Sequence, residues 1–403
     1  MTARPALAAG LATACLVAAA SLSAWQEGSP LVPRDGGTAE QGTAWLFLAL
    51  LVGAFVTYLL GLALVRRTPA PVRAAIVVAA LVQLVPLGAP LLLSTDAWTY
   101  WGYGWIATEG GGNPYVDPPS DFPQSPAAPY LGADWRDTTT VYGPVFTGIS
   151  EPVAVVAGSS SDAAAWLFKS LAAASMLAAC LAVASVARRK ALAVAFVGWN
   201  PVLAVHAAGG GHNDALVAGL AALAVALALR RRHDLSGALW VVAVLVKWVP
   251  LVFLALSALA AHARSRPSGW RGLAGAAVVL CAVATWLYGI DWLRAAEPLA
   301  GNAARETSYS IPSRLESLGL SHGVALGLPI AVLVAGLAWL ARDATRGRAR
   351  LGLAACLVLV TTPYLAVWYL AWVVALAAPE EERASRLAAL TLTAYLLPQT
   401  IPL

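Results

Sequence analysis

The sequence has 403 residues, 59% hydrophobic and only 12% charged, with a mean hydropathy of +0.71. A soluble domain carries roughly 25% charged residues, so composition excludes an ordinary water-soluble enzyme and predicts an all-α, polytopic membrane protein. The net charge of +5 does not indicate nucleic acid, because the basic residues sit in short loops between apolar runs.

In chain order, Met1 to Ala24 carries one Arg and a long apolar run. It is read as a first membrane helix rather than a cleaved signal peptide, since further spans follow. Trp25 to Gln41 is a polar loop. Spans are predicted over Trp45–Val65 and Pro71–Leu93, the first closed by Arg66 and Arg67. The segment 94–162 is polar and holds Pro114, Pro118, Pro119, Pro123, Pro126, Pro129 and Pro144. No long helix is expected there, and a loop of that length is usually functional. A span over Ala163–Ala187 ends in Arg188-Arg189-Lys190. Ala191–Ala207 is broken by Asn200-Pro201, and Ala215–Leu229 ends in Arg230-Arg231-Arg232. Leu235–Ala261 is interrupted by Lys247 and Pro250. Leu273–Ile290 is a span, 291–321 a second long polar loop, and Gly323–Leu340 a span. Leu351–Ala378 is broken at Thr361-Thr362-Pro363, and Leu387–Leu403 is the expected last span. The total is about 11–13 membrane helices, counting short and broken ones, in one domain over 1–403. Cys15, Cys180, Cys281 and Cys356 lie inside apolar runs without metal spacing and read as packing residues.

Cytoplasmic loops collect Lys and Arg. With a cytoplasmic N-terminus in a plasma membrane, the pattern holds if Leu235–Ala261 and Leu351–Ala378 each enter and return. The arms are then about 13 residues, or ~20 Å, short for a ~30 Å core but tolerated when buried in protein. Of the 26 Lys and Arg, only Arg34, Arg136, Arg294, Arg305 and Arg314 then fall outside, with Lys169 and Lys247 at or within the membrane. The consequence is convergence. Asp96, the turn His212-Asn213-Asp214, Lys247, the 291–321 loop and the turn Tyr364–Tyr369 all reach the external face.

A carboxylate at that boundary is a functional candidate and suits a general base towards a hydroxyl. Lys247, with Arg305 or Arg314, suits a phosphate. His212 fits acid/base work or positioning of a hydroxyl. Bland readings coexist with these: Asn213 and Asp214 suit a helix N-cap, and Lys247 suits snorkelling.

The order Asp96-x-x-x-Tyr100, Gly112-Asn113-Pro114-Tyr115, Tyr142-Gly143-Pro144, Asn200-Pro201, Gly211-His212-Asn213-Asp214, Lys247-x-x-Pro250 and Trp368-Tyr369-x-x-Trp372 resembles the GT-C glycosyltransferases. Within them it most resembles the actinobacterial polyprenyl-phosphate-mannose-dependent α-mannosyltransferases. The resemblance implies Asp96 as the catalytic carboxylate and a substrate site including Tyr100, Asn113, Tyr115, Tyr142, His212, Asn213, Asp214, Trp368 and Tyr369. It implies a polyprenyl-phosphate sugar as donor and a cell-envelope glycolipid or polysaccharide, such as lipomannan, as acceptor. Many such enzymes carry two adjacent carboxylates and some use a divalent metal. Thr95-Asp96-Ala97 offers one, so no metal and no other cofactor is expected, the alternative being an ion bridging Asp96 and Asp214. Mannose rests on the resemblance; the residues themselves leave arabinofuranose and glucose open. The competing reading is a transporter or flippase of lipid-linked glycans, which should show matched internal repeats. The flanks of the two broken segments do not match each other.

Overall fold

The computed structural model describes residues 3–33, 41–297, 305–380 and 382–403, with Glu380 defined in its backbone only. Arg34 and residues 298–304 of the second long loop, both part of the topology argument, lie outside the described residues. Helices are the chain's only regular secondary structure among the described residues. Its main helices are α1 (Arg4–Ser23), α2 (Gln41–Arg67), α3 (Val72–Leu84), α4 (Asp96–Thr108), α5 (Pro144–Ala157), α6 (Ser161–Val186), α7 (Lys190–Gly198), α8 (Asp214–Leu229), α9 (His233–Val246), α10 (Pro250–Ala263), α11 (Trp270–Tyr288), α12 (His322–Ala344), α13 (Leu351–Thr361), α14 (Leu370–Glu380) and α15 (Arg383–Leu396). Among the described residues five helices are long and apolar enough to cross a membrane, and the bent pair Lys190–Gly198 and Pro201–Gly209 makes six if it is one broken span. Seven further apolar helices are shorter, at 10–17 residues. The protein is therefore an all-α polytopic membrane protein.

The centre of the bundle is α8, which packs on α6, α9 and α14. Its sequence, DALVAGLAALAVALAL, is rich in Ala and Gly. Small side chains let backbones approach where no hydrophobic force drives helices together in lipid. The bend between α7 and the next helix measures 50°. Asn200 caps the new start by accepting from Val202 N and Leu203 N, and Pro201 occupies the first turn, where its missing N–H costs nothing. A single π-helical turn, Val205–Gly209, follows.

Two expectations are corrected. The 94–162 segment is not free of long helices, for it contains α4 and α5, of 13 and 14 residues. Six of its prolines lie between the two helices and Pro144 sits in the first turn of α5, so these bound helices instead of preventing them, while Pro152 is accommodated inside α5. The expected last span, Leu387–Leu403, is not an apolar crossing. α15 ends at Leu396 and is amphipathic, burying Ser385, Ala389, Thr393 and Leu396 on one stripe while Arg383 and Leu387 stay exposed. Four-residue spacing of buried positions marks a helix lying against the bundle.

The expected interruptions are present. α9 stops at Val246, Lys247 is extended, and α10 restarts at Pro250. α13 stops at Thr361 and α14 begins at Leu370 after a short 3-10 turn, Val367–Tyr369. The intramembrane Lys169 is 2% exposed and donates to the carbonyls of Leu87, Ala89 and Pro90. It satisfies the backbone where α3 unwinds towards Asp96, which is how a buried ammonium is tolerated without an acid.

Candidate active site

Asp96 is the first residue of α4, and its backbone N–H donates to Ser94 Oγ at 3.2 Å. The side chain is buried against three elements. Tyr100, one turn along α4, donates its hydroxyl to Asp96 Oδ2 at 3.2 Å. His212 Nδ1 lies 3.1 Å from the same oxygen. Both bonds fall on Oδ2, so neither occupies Oδ1. Burial opposes ionisation of Asp96. The His212 hydrogen bond, the His212 and Lys247 charges and Ser94 outweigh it, and the carboxyl is held below its ordinary value. Burial, then the charges of Asp96 and Asp214, pushes the Tyr100 hydroxyl well above its ordinary value, so Tyr100 stays protonated and donates.

His212 is fixed from its face. Its ring stacks on Trp368 with centroids 3.8 Å apart and planes 10° from parallel. Its Nε2 has no hydrogen-bond partner among the described residues.

The second charged pair sits beside the first. Lys247 Nζ is 2.7 Å from Asp214 Oδ2, and Trp372 Nε1 donates to Asp214 Oδ1 at 3.0 Å. Lys247 also lies 4.5 Å over the Tyr369 ring. Asp214 is fully buried, while the Lys247 side chain keeps 16% of its surface exposed. An extended residue between two helices places the ammonium there, because Lys247 has left the helical path of α9 and not yet entered that of α10. The N-cap reading of Asn213 and Asp214 does not hold. Asn213 makes no side-chain cap, both its amide atoms are buried without partners among the described residues, and Asp214 is spent on Lys247 and Trp372.

A cavity of about 170 Å³ connects the two pairs, lined by Asp96, Lys247, Trp135, Val141, Tyr142, Thr362, Pro363, Tyr364, Trp368 and Tyr369. Among the expected residues, Asp96, Tyr142, Lys247, Trp368 and Tyr369 line it. Tyr100, His212, Asn213 and Asp214 are buried around it, with Tyr100 and His212 bonded to Asp96 and Asp214 bonded to Lys247. Asn113 and Tyr115 are not brought to it. Asn113 Nδ2 bonds Tyr288 O at 2.9 Å, and the Tyr115 hydroxyl meets Tyr142 O at 3.2 Å and Thr147 Oγ1 at 2.9 Å. Both anchor the loop to α11 and α5. Arg314 is exposed and reaches Tyr395. Arg305 bonds Asp134 O and packs over Trp135, one residue behind the lining. Lys247 is the one cation lining the cavity among the described residues. The sequence gives no signal for Trp135 and Val141, marks Thr362 and Pro363 only as a break, and marks Tyr364 only as the start of the converging turn Tyr364–Tyr369. Trp372 was signalled, since it closes the motif begun by Trp368.

Gly143 sets the loop against α9. Its N–H bonds Val246 O at 3.1 Å, and a Cβ there would collide with the Leu245 carbonyl. That approach brings Tyr142 beside Lys247. Gly143→Ala is expected to destabilise the protein by about 1–3 kcal/mol through overpacking, read as a lowered melting temperature. An unchanged melting temperature would show that the loop is not docked this tightly.

The only His/Cys/Asp/Glu trio at metal-binding spacing among the described residues is Glu306, Glu316 and His322, which does not include Asp96 or Asp214.

In this all-helical membrane bundle a hydrogen-bonded carboxylate and an ion-paired ammonium thus face one small cavity. The profile of the alpha-(1->6)-mannopyranosyltransferase N-terminal domain matches residues 7–263, and the chain belongs to that family. It is 27% identical over 308 residues to alpha-(1->6)-mannopyranosyltransferase A of Corynebacterium glutamicum, covering 68% of this chain and 61% of that protein. It is 27% identical over 345 residues to alpha-(1->6)-mannopyranosyltransferase A of Mycobacterium tuberculosis, covering 75% and 65%. The chain thus spans less than two thirds of the length of these relatives. No solved structure matches it.

Proposed function

We propose that the protein transfers a mannosyl residue from a polyprenyl-phosphate donor to a hydroxyl of a cell-envelope glycolipid or polysaccharide, with inversion, on the external face of the plasma membrane. The observation that carries this reading is that Asp96, at the start of α4, and Lys247, in the break between α9 and α10, line one cavity. Asp96 takes the proton of the acceptor hydroxyl as its oxygen bonds the sugar C1. The C1–O bond to phosphate breaks, and the polyprenyl phosphate leaves with the electron pair. Lys247 stands to neutralise that phosphate. Tyr100 and His212 hold Asp96 in place through Oδ2. Trp368, Tyr369 and Tyr142 offer the aromatic walls on which a sugar ring packs. The cavity is smaller than the ~300–1,000 Å³ of drug-sized sites, which suits a single sugar ring with the donor's tail left in the bilayer. The names of the two relatives support mannose. The arginines of 230–232, 264 and 266 follow the distal ends of α8 and α10, which supports a cytoplasmic position for that end.

The deciding experiment incubates the purified protein with polyprenyl-phosphate mannose and candidate mannolipids and identifies the product by mass spectrometry. A hexose added only from another donor would overturn the reading.

Activity is expected to survive EDTA. The partners already on the two carboxylates supply the reason: Asp96 accepts from Tyr100 and faces His212, and Asp214 is held by Lys247 and Trp372. A bridging ion would have to displace an ammonium at 2.7 Å. Complete loss of turnover with chelator, restored by Mg²⁺ or Mn²⁺, would move the phosphate's counter-charge from Lys247 to a metal.

A further inference from the structure

A cavity of about 790 Å³ lies away from Asp96. Its lining includes Leu229 at the end of α8, Ala260 and Ala261 near the end of α10, and Leu351 at the start of α13. Asp214 starts α8, Lys247 follows α9 and precedes α10, and α13 leads to Thr362. These helices therefore run between the two cavities, and the 16 residues of α8 separate them by about 24 Å. The larger cavity opens at the opposite end of the bundle.

Its chemistry is two-sided. The inner walls are apolar, with Val225, Leu254 and Trp240 contributed by three helices. At the rim are Arg188, Arg264 and Arg266, whose guanidinium groups make no hydrogen bond or ion pair with any described residue. The other two arginines of the lining differ. Arg350 is 2.8 Å from Asp343, and Arg348 is 3.4 Å from Glu382. Two of the five lining arginines are thus neutralised, and three positive charges are left. Arg264 is also placed: its side chain lies across Gly347, a residue at φ +88° whose Cβ would meet Arg264 Nε at 2.8 Å. A side chain there would lift the guanidinium from its seat. Leu229 both lines the cavity and is 53% exposed, so the mouth is continuous with the apolar outer surface of the bundle.

Exposed guanidinium groups above an apolar cleft match an amphiphile that carries phosphate. Arg pairs bidentately with phosphate, and basic pockets between membrane helices take anionic lipid headgroups. A free phosphate would use the rim and leave the walls unmatched. We propose that this cavity binds an anionic phospholipid of the leaflet opposite the Asp96 site, its phosphate on Arg188, Arg264 and Arg266 and an acyl chain against Leu229, Leu254 and Trp240. This site is independent of which sugar the protein moves.

The test uses the full chain purified in detergent and titrated in native mass spectrometry with phosphatidylglycerol, phosphatidylcholine of the same acyl chains, and glycerol phosphate. One phosphatidylglycerol should bind at least tenfold more tightly than either of the others. Arg264→Ala/Arg266→Ala should weaken it at least tenfold, whereas Arg66→Ala/Arg67→Ala, removing equal charge from exposed residues at the end of α2, should change it less than twofold. Melting temperatures of both variants check folding. Equal binding of phosphatidylcholine, glycerol phosphate as tight as the lipid, or equal weakening in both variants would each overturn the proposal.

Discussion

Asp96→Asn is expected to lower turnover by about 10²- to 10⁴-fold, the usual range for loss of a general base, with little change in substrate binding. The amide keeps the shape of the carboxylate and its place at the start of α4, where Tyr100 and His212 meet Oδ2. What it loses is the ability to take a proton through the other oxygen. Retention of more than about a third of the wild-type rate would remove Asp96 from the base's role. The pH profile provides a second reading. Asp96 acts when ionised, and its pKa is held below the ordinary carboxylate value, so activity is lost only as pH falls through that depressed value. Burial is the largest influence and pushes the pKa up; the His212 hydrogen bond is the largest opposing one. His212→Ala removes that opposition, and the acid limb of kcat is expected to move to higher pH. An acid limb that stays in place would mean that His212 does not act through Asp96.

Lys247→Ala is expected to affect folding and catalysis together, because Lys247 has two partners to satisfy. Asp214 is fully buried and 2.7 Å away. Removing one member of a buried ion pair leaves the other uncompensated, typically at a cost of about 3–5 kcal/mol. Loss of activity in the single variant is therefore no proof of phosphate binding. The double variant Lys247→Met/Asp214→Asn removes both charges, and the amide oxygen it places at position 214 still accepts a hydrogen bond from Trp372. It should recover most of the melting temperature. Its turnover should still be reduced, with a raised KM for the lipid-phosphate donor, since a charge-assisted contact contributes roughly 1.5–3 kcal/mol. Wild-type donor KM and turnover in a well-folded double variant would assign Lys247 a structural role only.

Much of this site was legible before any fold was known, and the part that was not follows a physical rule. Lys247 stood out as a lone cation in an apolar run, and Asp96 as a carboxylate at the external end of one. Each is costly in its own local surroundings, and that cost is a property of the residue and its neighbours in sequence. Asn113, Tyr115 and Arg314 looked equally suitable by type and motif. Asn113 and Tyr115 entered the site through the motif that carries the resemblance and Arg314 through its charge; in the structure Asn113 bonds Tyr288, Tyr115 bonds Thr147 and Arg314 bonds Tyr395. Residue type says that a side chain wants a polar partner; it does not say which one is within reach.

The sequence by itself determined the class of the molecule. Transfer of apolar side chains out of water is a sum over residues, so hydropathy alone predicts a helical membrane bundle, and the clustering of Lys and Arg in short loops predicts which helix ends share a side. The breaks at Asn200-Pro201, Lys247-x-x-Pro250 and Thr362-Pro363 were likewise local, since proline removes a donor wherever it stands. Tertiary structure alone decided the pairings. His212 meets Asp96 across 116 residues of chain and Trp372 meets Asp214 across 158. Those contacts depend on how closely α8 packs against its neighbours and on the loop at Gly143 docking onto α9. The same packing kept 96–108 and 144–157 helical on either side of a proline-rich stretch and laid 383–396 along the bundle as an amphipathic helix. A helix end can be read from the residues that form it, but the partner it faces is set by every other helix in the bundle.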